Sequence, residues 1–228
     1  MAIDPPVHPA ESSAAELPPA TRADRVRLRS VARRETERQE FREKVLEIAR
    51  RQLLANGYAR FSVREVAEEA GYTPTALYHY FADRDALLQE VARENYAQFS
   101  AVFQAAYESA STPRDRLIAM GQAYVRFAVE YPSAFRLLYL ERPDLGVGRS
   151  VGDYIGDKNF NLVMQLLGEL AELGEVRSPE LDKVGIIVWA GVHGLATMAV
   201  TIEMLPTDYM MACARMMSVT NIEALRHV

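Results

Sequence analysis

The chain has 228 residues, of which 49% are hydrophobic and 25% charged, a composition that indicates a folded globular protein and excludes fibrous and wholly disordered chains. Its single cysteine, Cys213, excludes an internal disulfide framework and is typical of a reducing compartment. The formal net charge of −5 would disfavour a nucleic-acid partner if the charges were evenly spread, but residues 22–93 carry 15 Lys and Arg against 12 Asp and Glu.

The first 35 residues are predicted to be a disordered Pro- and Ala-rich tail that leads into an Arg-rich arm. Residues 1–21 hold five of the eleven prolines and three acids without a base, so they cannot bury enough apolar surface to offset the entropy of ordering. Residues 22–34 carry six arginines and one acid, which favours a polyanion as partner; the alternative is a solvated arm that aids solubility. Because no basic start and apolar core are present, a secretory signal is not predicted and the protein is expected to be cytoplasmic.

Four helices are predicted between residues 41 and 109 from their apolar periodicity and their start and stop signals. Ser62 and Glu65 form a capping box at the start of the second helix. Thr73 and Pro74 supply an N-cap and a first-turn proline for the third helix. The predicted ranges are 41–56, 62–71, 73–81 and 83–109.

The C-terminal half is predicted to be helical as well. Residues 143–152 form a loop with three glycines, but no strand precedes it and no Gly-Lys-Ser/Thr follows, so it is not interpreted as a phosphate-binding loop. No segment has a convincing alternating strand pattern, and the chain is therefore predicted to be all-α with about nine helices. The predicted helical ranges are 112–128, 132–140, 160–170, 178–202 and 207–226.

Residues 184–202 contain no charged residue and approach the lower length limit of a membrane-spanning helix. Three glycines, His193 and two threonines weaken that interpretation, and an acid lies close to each end, Asp182 and Glu203, instead of the basic flank that is typical of a membrane span. The segment is therefore expected to be buried in a helical core or a dimer interface. The alternative is a helical membrane-associated or scaffolding protein that uses residues 184–202.

The two short helices at residues 62–71 and 73–81 have the pattern of a helix-turn-helix. Ala67 is small enough for two crossed helices to approach closely, and Gly71 permits the tight turn between them. In this motif the second helix inserts its N-terminal residues into the major groove of DNA, while neighbouring groups bind phosphates.

The run Ser-Val-Arg-Glu-Val-Ala-Glu-Glu-Ala-Gly-Tyr-Thr-Pro-Thr-Ala-Leu-Tyr-His-Tyr-Phe-Ala-Asp-Arg-Asp-Ala-Leu-Leu, from Ser62 to Leu88, resembles the signature of TetR-type transcriptional repressors. The resemblance covers about residues 40–100. It implies a three-helix DNA-binding domain at residues 40–100 and an effector-binding and dimerisation bundle at residues 101–228.

The resemblance also implies which residues contact DNA. Leu77 and Phe81 are expected in the core, since they lie four residues apart on the inward face. Tyr78 and Tyr80 could be packing residues, but both cannot point inward beside Leu77 and Phe81, so at least one is expected to be exposed. Pro74 and Thr75, at the start of the third helix, are assigned to base edges, and the others to phosphates or groove walls. The implied set is Arg64, Thr73, Pro74, Thr75, Tyr78, His79, Tyr80 and Arg84.

A looser resemblance lies further along the chain, where Trp-Ala-Gly-Val-His-Gly at residues 189–194 is similar to the Trp-x-Gly-x-His-Gly segment of one C-terminal subclass of these regulators. Trp189 and His193 are four residues apart and share a helix face. They are either a core tryptophan beside a satisfied buried histidine or part of a ligand cavity with aromatic and Met walls, suited to an apolar or amphipathic molecule. The candidate cavity set is Tyr124, Phe127, Phe135, Met164, Trp189 and His193.

Dimerisation is expected through the last two helices, around residues 180–202 and 207–226. Small side chains on the first of them would permit close packing, with larger apolar side chains of the second opposite. The small residues are Gly191, Gly194, Ala196 and Thr197, and the larger ones are Met210, Met217 and Leu225.

These features together predict a ligand-responsive transcriptional regulator rather than an enzyme. The resemblance implies a repressor that binds a palindromic operator in double-stranded DNA as a homodimer and is released by a small apolar or amphipathic effector. The sequence has no nucleophile turn with its catalytic partners, no metal-ligand cluster and no nucleotide loop. No metal, cofactor or membrane is therefore predicted as a partner.

Overall fold

The computed structural model describes residues 22–145, 157–202 and 205–226. Within these ranges the chain has nine α-helices and no β-strand, which confirms the predicted all-α fold. The predicted tail at 1–21 and the part of the predicted loop at 146–152 lie outside the described residues. The helices are α1 (Arg22–Asn56), α2 (Val63–Ala70), α3 (Pro74–Tyr78), α4 (Arg84–Glu108), α5 (Pro113–Glu130), α6 (Pro132–Phe135), α7 (Lys158–Glu172), α8 (Leu181–Thr201) and α9 (Thr207–Ala224).

Helix α1 begins at Arg22, well before the predicted start at Phe41. The prediction relied on an apolar face, which residues 22–40 lack, but this segment has no Gly or Pro and consists largely of good helix formers. Arg33 and Glu37 add an ion pair at i and i+4, with Nε and Oε1 3.4 Å apart. Intrinsic propensity therefore extends the helix without burial.

The chain divides into two compact units, residues 1–43 and residues 44–228. The described part of the first unit is the N-terminal portion of α1, in which residues 27–40 are all exposed. The second unit contains the rest of α1 and all the other helices. From Val45 to Leu53 the predicted apolar face of α1 is buried.

Helices α2 and α3 begin and end where their sequence signals predict, except at the end of α3. Ser62 Oγ accepts a hydrogen bond from Glu65 N at 3.4 Å, and Thr73 Oγ1 accepts one from Ala76 N at 3.2 Å. Gly71 ends α2 with φ of 84°, a left-handed conformation that favours glycine. Helix α3 ends at Tyr78 rather than Phe81, because the N–H of Tyr80 bonds to the Leu77 carbonyl in a tighter i to i+3 turn.

Helices α4 to α9 pack around a central α5, which contacts α4, α7, α8 and α9. Thr112 caps α5, with Thr112 Oγ1 accepting from Asp115 N at 3.1 Å, and Pro113 occupies the first turn as predicted. Met120, Tyr124 and Phe127 are buried along one side of α5. These side chains form much of the core of the bundle.

The predicted helix at 132–140 is instead two short elements. Helix α6 is followed by a π-helix at Arg136–Glu141, which widens the turn so that the N–H of Arg142 reaches the carbonyl of Leu137 at 3.1 Å. The π-helix is rare and occurs often at functional sites. Its first residue, Arg136, donates from Nη2 to the carbonyl of Val200 near the end of α8.

Helix α8 is, in the described part of the chain, the one helix long and apolar enough to cross a membrane by length and composition. Only 28% of its most apolar window is buried within the chain. The buried row runs through Val184, Val188 and Val192 to Ala196, while Ile187 and Met198 lie on the exposed side. The helix is therefore covered on one side only by its own chain.

Candidate nucleic-acid interface and ligand cavity

The helix-turn-helix is held together by apolar contacts and by anchors from α1. Val66 and Ala67 of α2 and Leu77 of α3 are completely buried. Lys44 Nζ of α1 donates to the carbonyl of Ala70 at 2.8 Å, at the C-terminus of α2 where carbonyl groups lack helical partners. The orientation of α3 is thus fixed by packing, which leaves its outer side chains free for contacts with a partner.

Helix α3 and the residues beside it expose four of the eight residues that the resemblance assigns to DNA contact. Tyr78 is 48% exposed, whereas Leu77 and Phe81 are buried, so the expectation of an exposed tyrosine beside a buried pair is confirmed. Tyr80 is half-buried. The other exposed members of the set on or beside α3 are Thr73, Thr75 and His79, and Pro74 is half-buried.

Two arginines of the predicted set have different surroundings. Arg64 is exposed on α2, and its Nε donates to Glu68 Oε1 at 2.9 Å, which raises the pKa of Arg64. Arg84 is instead held by Tyr58: its Nη1 donates to the Tyr58 hydroxyl at 3.1 Å and its Nη2 to the Tyr58 carbonyl at 3.0 Å. Its guanidinium also lies 4.5 Å from the centre of the Tyr58 ring. Arg84 therefore secures the start of α4, a role that the sequence did not predict.

A mostly apolar cavity of about 60 Å³ lies inside the bundle of α4, α5, α7, α8 and α9. Aromatic rings provide much of its wall. Tyr124 and Trp189 line it, as predicted from the sequence. The other lining residues are Phe99, Phe103, Leu117, Met120, Gly121, Tyr139, Asp157, Asn159, Phe160, Val163, Val188, Val192 and Ser218.

The other four predicted cavity residues lie elsewhere. Phe127 and Phe135 are fully buried and pack in the core, and His193 lies behind the wall formed by Tyr124. Met164 lies against Gly185, where an added Cβ would be 2.5 Å from the Met164 sulfur. Spacing along a helix predicted burial for these residues, but it does not distinguish core packing from the wall of a cavity.

Phe99, Phe103, Tyr139 and Phe160 are cavity residues that the sequence analysis missed. Phe99 and Phe103 lie four residues apart on α4 with ring centres 5.2 Å apart, a spacing visible in the sequence. Tyr139 lies on the π-helix, whose altered periodicity has no simple sequence signal.

Tyr124, Trp189 and His193 form a hydrogen-bonded group at the cavity wall. Trp189 Nε1 donates to the Tyr124 hydroxyl at 3.3 Å, and that hydroxyl is 2.9 Å from His193 Nδ1. Burial lowers the pKa of His193, so the imidazole is neutral at pH 7. Tyr124 then donates to Nδ1 and the ring proton is assigned to Nε2. The Trp189 N–H, the Tyr124 hydroxyl and His193 Nδ1 therefore have their hydrogen-bond partners within this group.

A second polar group lies at the start of α7. Asp157 caps this helix by accepting from the N–H groups of Asn159 at 2.9 Å and Phe160 at 3.0 Å, and it also accepts from the Tyr96 hydroxyl. Asn159 Nδ2 donates to Tyr96 at 2.9 Å and to Ser100 at 3.0 Å. Burial raises the pKa of Asp157, against the opposing effect of the two backbone bonds. This group joins α7 to α4 beside the cavity.

A row of exposed apolar residues lies on α8 and α9, and of the residues expected at a dimer interface Gly194 is the one that belongs to it. Ala196, Met210 and Leu225 are buried within the chain. At Gly191 an added Cβ would lie 3.2 Å from the Met217 sulfur, so this glycine permits close packing of α9 within the same chain. The exposed row consists of Ile187, Ala190, Gly194 and Met198 on α8 with Tyr209, Ala212 and Met216 on α9.

Comparison with known proteins is consistent with this architecture. The sequence model described as "Bacterial regulatory proteins, tetR family" matches residues 45–91, and the model described as "Tetracyclin repressor-like, C-terminal domain" matches residues 117–219. An HTH-type transcriptional regulator of Mycobacterium tuberculosis is 32% identical over 111 residues, which are 48% of this chain and 47% of that protein. The chain therefore spans about half the length of the curated relatives it matches.

Solved structures resemble the chain over most of its length. A protein of unknown function from Rhodococcus sp. RHA1 has a TM-score of 0.67 and 27% identity, over 81% of this chain and 95% of that one. A putative TetR-family transcriptional regulator from Rhodococcus sp. has a TM-score of 0.62 and 22% identity, over 82% and 99%. The two matched models cover the helix-turn-helix and most of the helical bundle, and the chain belongs to the TetR family of bacterial regulatory proteins.

Proposed function

We propose that the protein is a ligand-responsive, DNA-binding transcriptional repressor that acts in the cytoplasm. It binds a palindromic operator as a homodimer and is released when a small apolar or amphipathic effector occupies the cavity. The observation that carries the proposal is a row of exposed residues on and beside α3, above a core that fixes the orientation of that helix. The row consists of Thr73, Thr75, Tyr78 and His79. Such a row is the arrangement by which a second helix reads the major groove.

Within this row the residues divide between phosphate contact and base contact. Tyr78 and His79 offer exposed polar groups to phosphates, and Arg64 offers a cation after exchange of its exposed pairing with Glu68. Pro74 has no N–H, so direct readout at the start of α3 depends on the hydroxyl and methyl groups of Thr75. Thr73 uses its hydroxyl as an acceptor in the helix cap and positions the row.

The Arg-rich portion of α1, residues 22–34, is the Arg-rich arm predicted from the sequence, and it supplies further attraction to DNA. Arg22, Arg27, Arg29 and Arg34 are exposed and make no ion pair or side-chain hydrogen bond with the part of the chain that the structure describes. Guanidinium groups on an exposed helix are suited to bidentate phosphate contacts and to the release of counterions.

The homodimer forms through the exposed apolar row of α8 and α9. Large exposed side chains on this side include Ile187, Met198, Tyr209 and Met216. Large exposed apolar side chains on two helices that pack against each other are typical of an interaction site, and two-fold symmetry would pair the row with itself. The alternative occupant, a lipid bilayer, is tested by extraction: a protein that stays in the supernatant without detergent after ultracentrifugation contradicts membrane insertion.

The effector is expected to be small and largely apolar. The cavity of about 60 Å³ is far smaller than a typical drug-sized site of roughly 300–1,000 Å³, so any ligand larger than a small ring must displace lining side chains. Because Tyr124, Trp189 and His193 bond to one another, a ligand gains mainly from contact with the aromatic walls. Displacement of those walls is the means by which occupancy changes the position of α4.

Selection of duplexes from a random DNA pool by the purified protein tests the proposal. We expect an inverted repeat, with half-site centres separated by about one helical turn of roughly 10 bp or a multiple of it. Affinity should fall steeply with salt, because phosphate contacts dominate such binding. Failure to enrich any sequence at low salt, or binding that does not respond to salt, would contradict the proposal.

A further inference from the structure

Arg142, immediately after the π-helix, is the centre of a polar cluster. Its guanidinium donates to both oxygens of Asp85 at 2.9 and 3.1 Å and forms three hydrogen bonds with Asp144 at 2.9 to 3.2 Å. Its side chain is only 14% exposed. Pairing with the two carboxylates raises the pKa of Arg142 and lowers that of Asp85, so both groups remain charged throughout the neutral range.

The same cluster reaches the DNA-reading part of the protein. Arg142 Nη1 donates to the Tyr58 hydroxyl at 3.0 Å, and Tyr58 is also the acceptor for Arg84. Tyr58 lies in the turn between α1 and α2, and Asp85 lies in the first turn of α4. A single guanidinium therefore ties the turn before α2 and the start of α4 to the segment that follows the π-helix.

At its other side the π-helix reaches the cavity. Tyr139 lines the cavity and is 91% buried, with ring centres 5.9 Å from Phe99, 5.6 Å from Tyr124 and 5.8 Å from His193. Tyr139 precedes Arg142 by less than one helical turn. A ligand that displaces this ring must move a closely packed segment that ends at the Arg142 cluster, since a close-packed interior transmits such a displacement.

We propose that the π-helix couples the cavity to the helix-turn-helix, with Tyr139 as the residue that responds to occupancy and Arg142 as the residue that transmits the change to Tyr58 and Asp85. The inference rests on the proposed function and specifies its regulatory pathway. The planar fork of arginine is required, because it holds two carboxylates and a hydroxyl at fixed angles, which a lysine ammonium does not.

Coupling between two sites is reciprocal, and this permits a test that does not require the effector. If occupancy of the cavity changes DNA affinity, DNA binding must change the affinity of the cavity for its ligand by the same factor, and the altered cavity wall is what the test detects. Trp189 is the only tryptophan of the chain and lies in the cavity wall, so its fluorescence reports on the cavity directly. The probe is an operator duplex chosen by the selection experiment, and the readouts are Trp189 emission and its quenching by acrylamide.

For the wild-type protein we expect a change in Trp189 emission on addition of the duplex. Arg142→Gln should still bind the duplex, but with a Trp189 response at least about fivefold smaller. Arg142→Lys should not restore the response. Asp85→Asn, at a carboxylate that is 57% exposed, provides the same test if Arg142→Gln fails to fold.

Arg114→Gln is the matched control. Arg114 is also a partly buried arginine between two carboxylates, Glu175 and Glu223, but these link α5 to the segment after α7 and to α9. We expect Arg114→Gln to lower stability and to keep the full Trp189 response. A full response in both Arg142→Gln and Asp85→Asn, or no response in a wild-type protein that binds the duplex, overturns the coupling proposal alone. Absence of duplex binding by the wild type overturns the proposed function itself.

Discussion

The five residues of α3 serve two purposes that are separated by the geometry of a single helical turn. Leu77 is completely buried and fixes the helix, whereas Thr75 and Tyr78 are exposed on its outer side. The sequence predicted this division because Leu77 and Phe81 must share the inward face. It did not predict that Arg84 would be held by Tyr58, because a separation of 26 residues conceals the contact.

Thr75→Ala should change base preference more than overall affinity. Removal of the hydroxyl and one methyl group is expected to relax discrimination at one base pair in each half-site, by roughly 1–3 kcal/mol, with little effect at other positions. Binding to a panel of singly substituted operators measures this effect. Tyr78→Phe is the contrasting variant, since removal of the hydroxyl that we assign to a phosphate contact should weaken binding equally across the panel. A uniform loss with Thr75→Ala would contradict the assignment of Thr75 to base edges.

His193 should make stability depend on pH below neutrality. Its folded-state pKa lies below the unfolded value of about 6.5, so below pH 6.5 the unfolded chain binds a proton that the folded chain does not. The contribution of His193 to the free energy of unfolding is fully present above pH 6.5. It is lost as the pH drops toward the folded-state pKa, by at most about 1.4 kcal/mol per pH unit. His193→Gln keeps an acceptor for Tyr124 and should lose this contribution.

Urea denaturation of wild type and His193→Gln at pH 7.5 and at pH 5.5 measures the difference. Carboxylates such as Asp157 titrate in both proteins, so the comparison between the two isolates the histidine. An equal loss of stability in the two proteins would show that His193 does not titrate in this range.

At the scale of elements, α1 and the π-helix illustrate two different limits of sequence patterns. The N-terminal portion of α1 has no apolar face, and it is helical because of residue propensity. The π-helix has a normal apolar composition, but its wider turn shifts the side chains that follow, so a search for a period of 3.6 residues assigns an ordinary helix there. As a result, the charged side chains of residues 22–40 lie on a helix that was not predicted, and Arg142 follows a π-helix instead of an ordinary helix.

Neutralisation of the Arg-rich portion of α1 should reduce the salt dependence of DNA binding. The variant with Arg27, Arg29 and Arg34 replaced by Gln keeps helix propensity and removes three exposed charges. The slope of log affinity against log salt should become smaller by about 0.9 for each phosphate that the variant no longer neutralises, with the same change at specific and random sequences. Fluorescence anisotropy over a salt series measures the slope.

The control for this experiment removes the same charge elsewhere. Arg93, Arg126 and Arg177 are exposed on the helical bundle or its connections, and their replacement by Gln should leave the slope unchanged. If both triple variants change the slope equally, the effect comes from net charge and not from phosphate binding by the arm.

At the scale of the whole molecule, the described part of the chain keeps an exposed apolar row on α8 and α9 after folding. Helix α8 buries its valine row against its own bundle and exposes Ile187 and Met198 on the other side, and Tyr209 and Met216 are exposed on α9, which packs against α8. The sequence indicated that this helix would be buried and that it would take part in dimerisation. It could not indicate which residues face inward, because the helix is apolar on every side.

Met198→Glu with Met216→Glu should convert the proposed homodimer to a monomer. Two carboxylates buried in an apolar interface without partners are expected to raise the dimer dissociation constant by about 30-fold or more. Operator affinity should fall with it, because each monomer reads only one half-site. Sedimentation velocity at micromolar concentration measures the association state.

Leu173→Glu is the control for this prediction, since Leu173 is 64% exposed but lies in the turn after α7. It should leave the association state unchanged. A wild-type protein that sediments as a monomer at micromolar concentration, or a double variant that remains dimeric, would contradict the assignment of this surface.

The sequence by itself determined the all-α class, the helix-turn-helix and the caps that begin its helices. These features depend on local chemistry: the Ser62 and Thr73 hydroxyls bond within three residues, and Gly71 supplies the one left-handed turn between α2 and α3. The aromatic character of the C-terminal core was visible for the same reason, since Tyr124 and Trp189 lie on apolar helix faces.

The tertiary structure alone decided which aromatic side chains line the cavity, which side of α8 is exposed and where Arg142 bonds. The contacts of Arg142 with Asp85 and Tyr58 join residues 57 and 84 positions apart, respectively. Periodicity identifies the buried face of one helix at a time, but it does not identify the element that covers this face. The pairing of faces is set by packing of the whole bundle, where the volumes of side chains distant in sequence must be accommodated together.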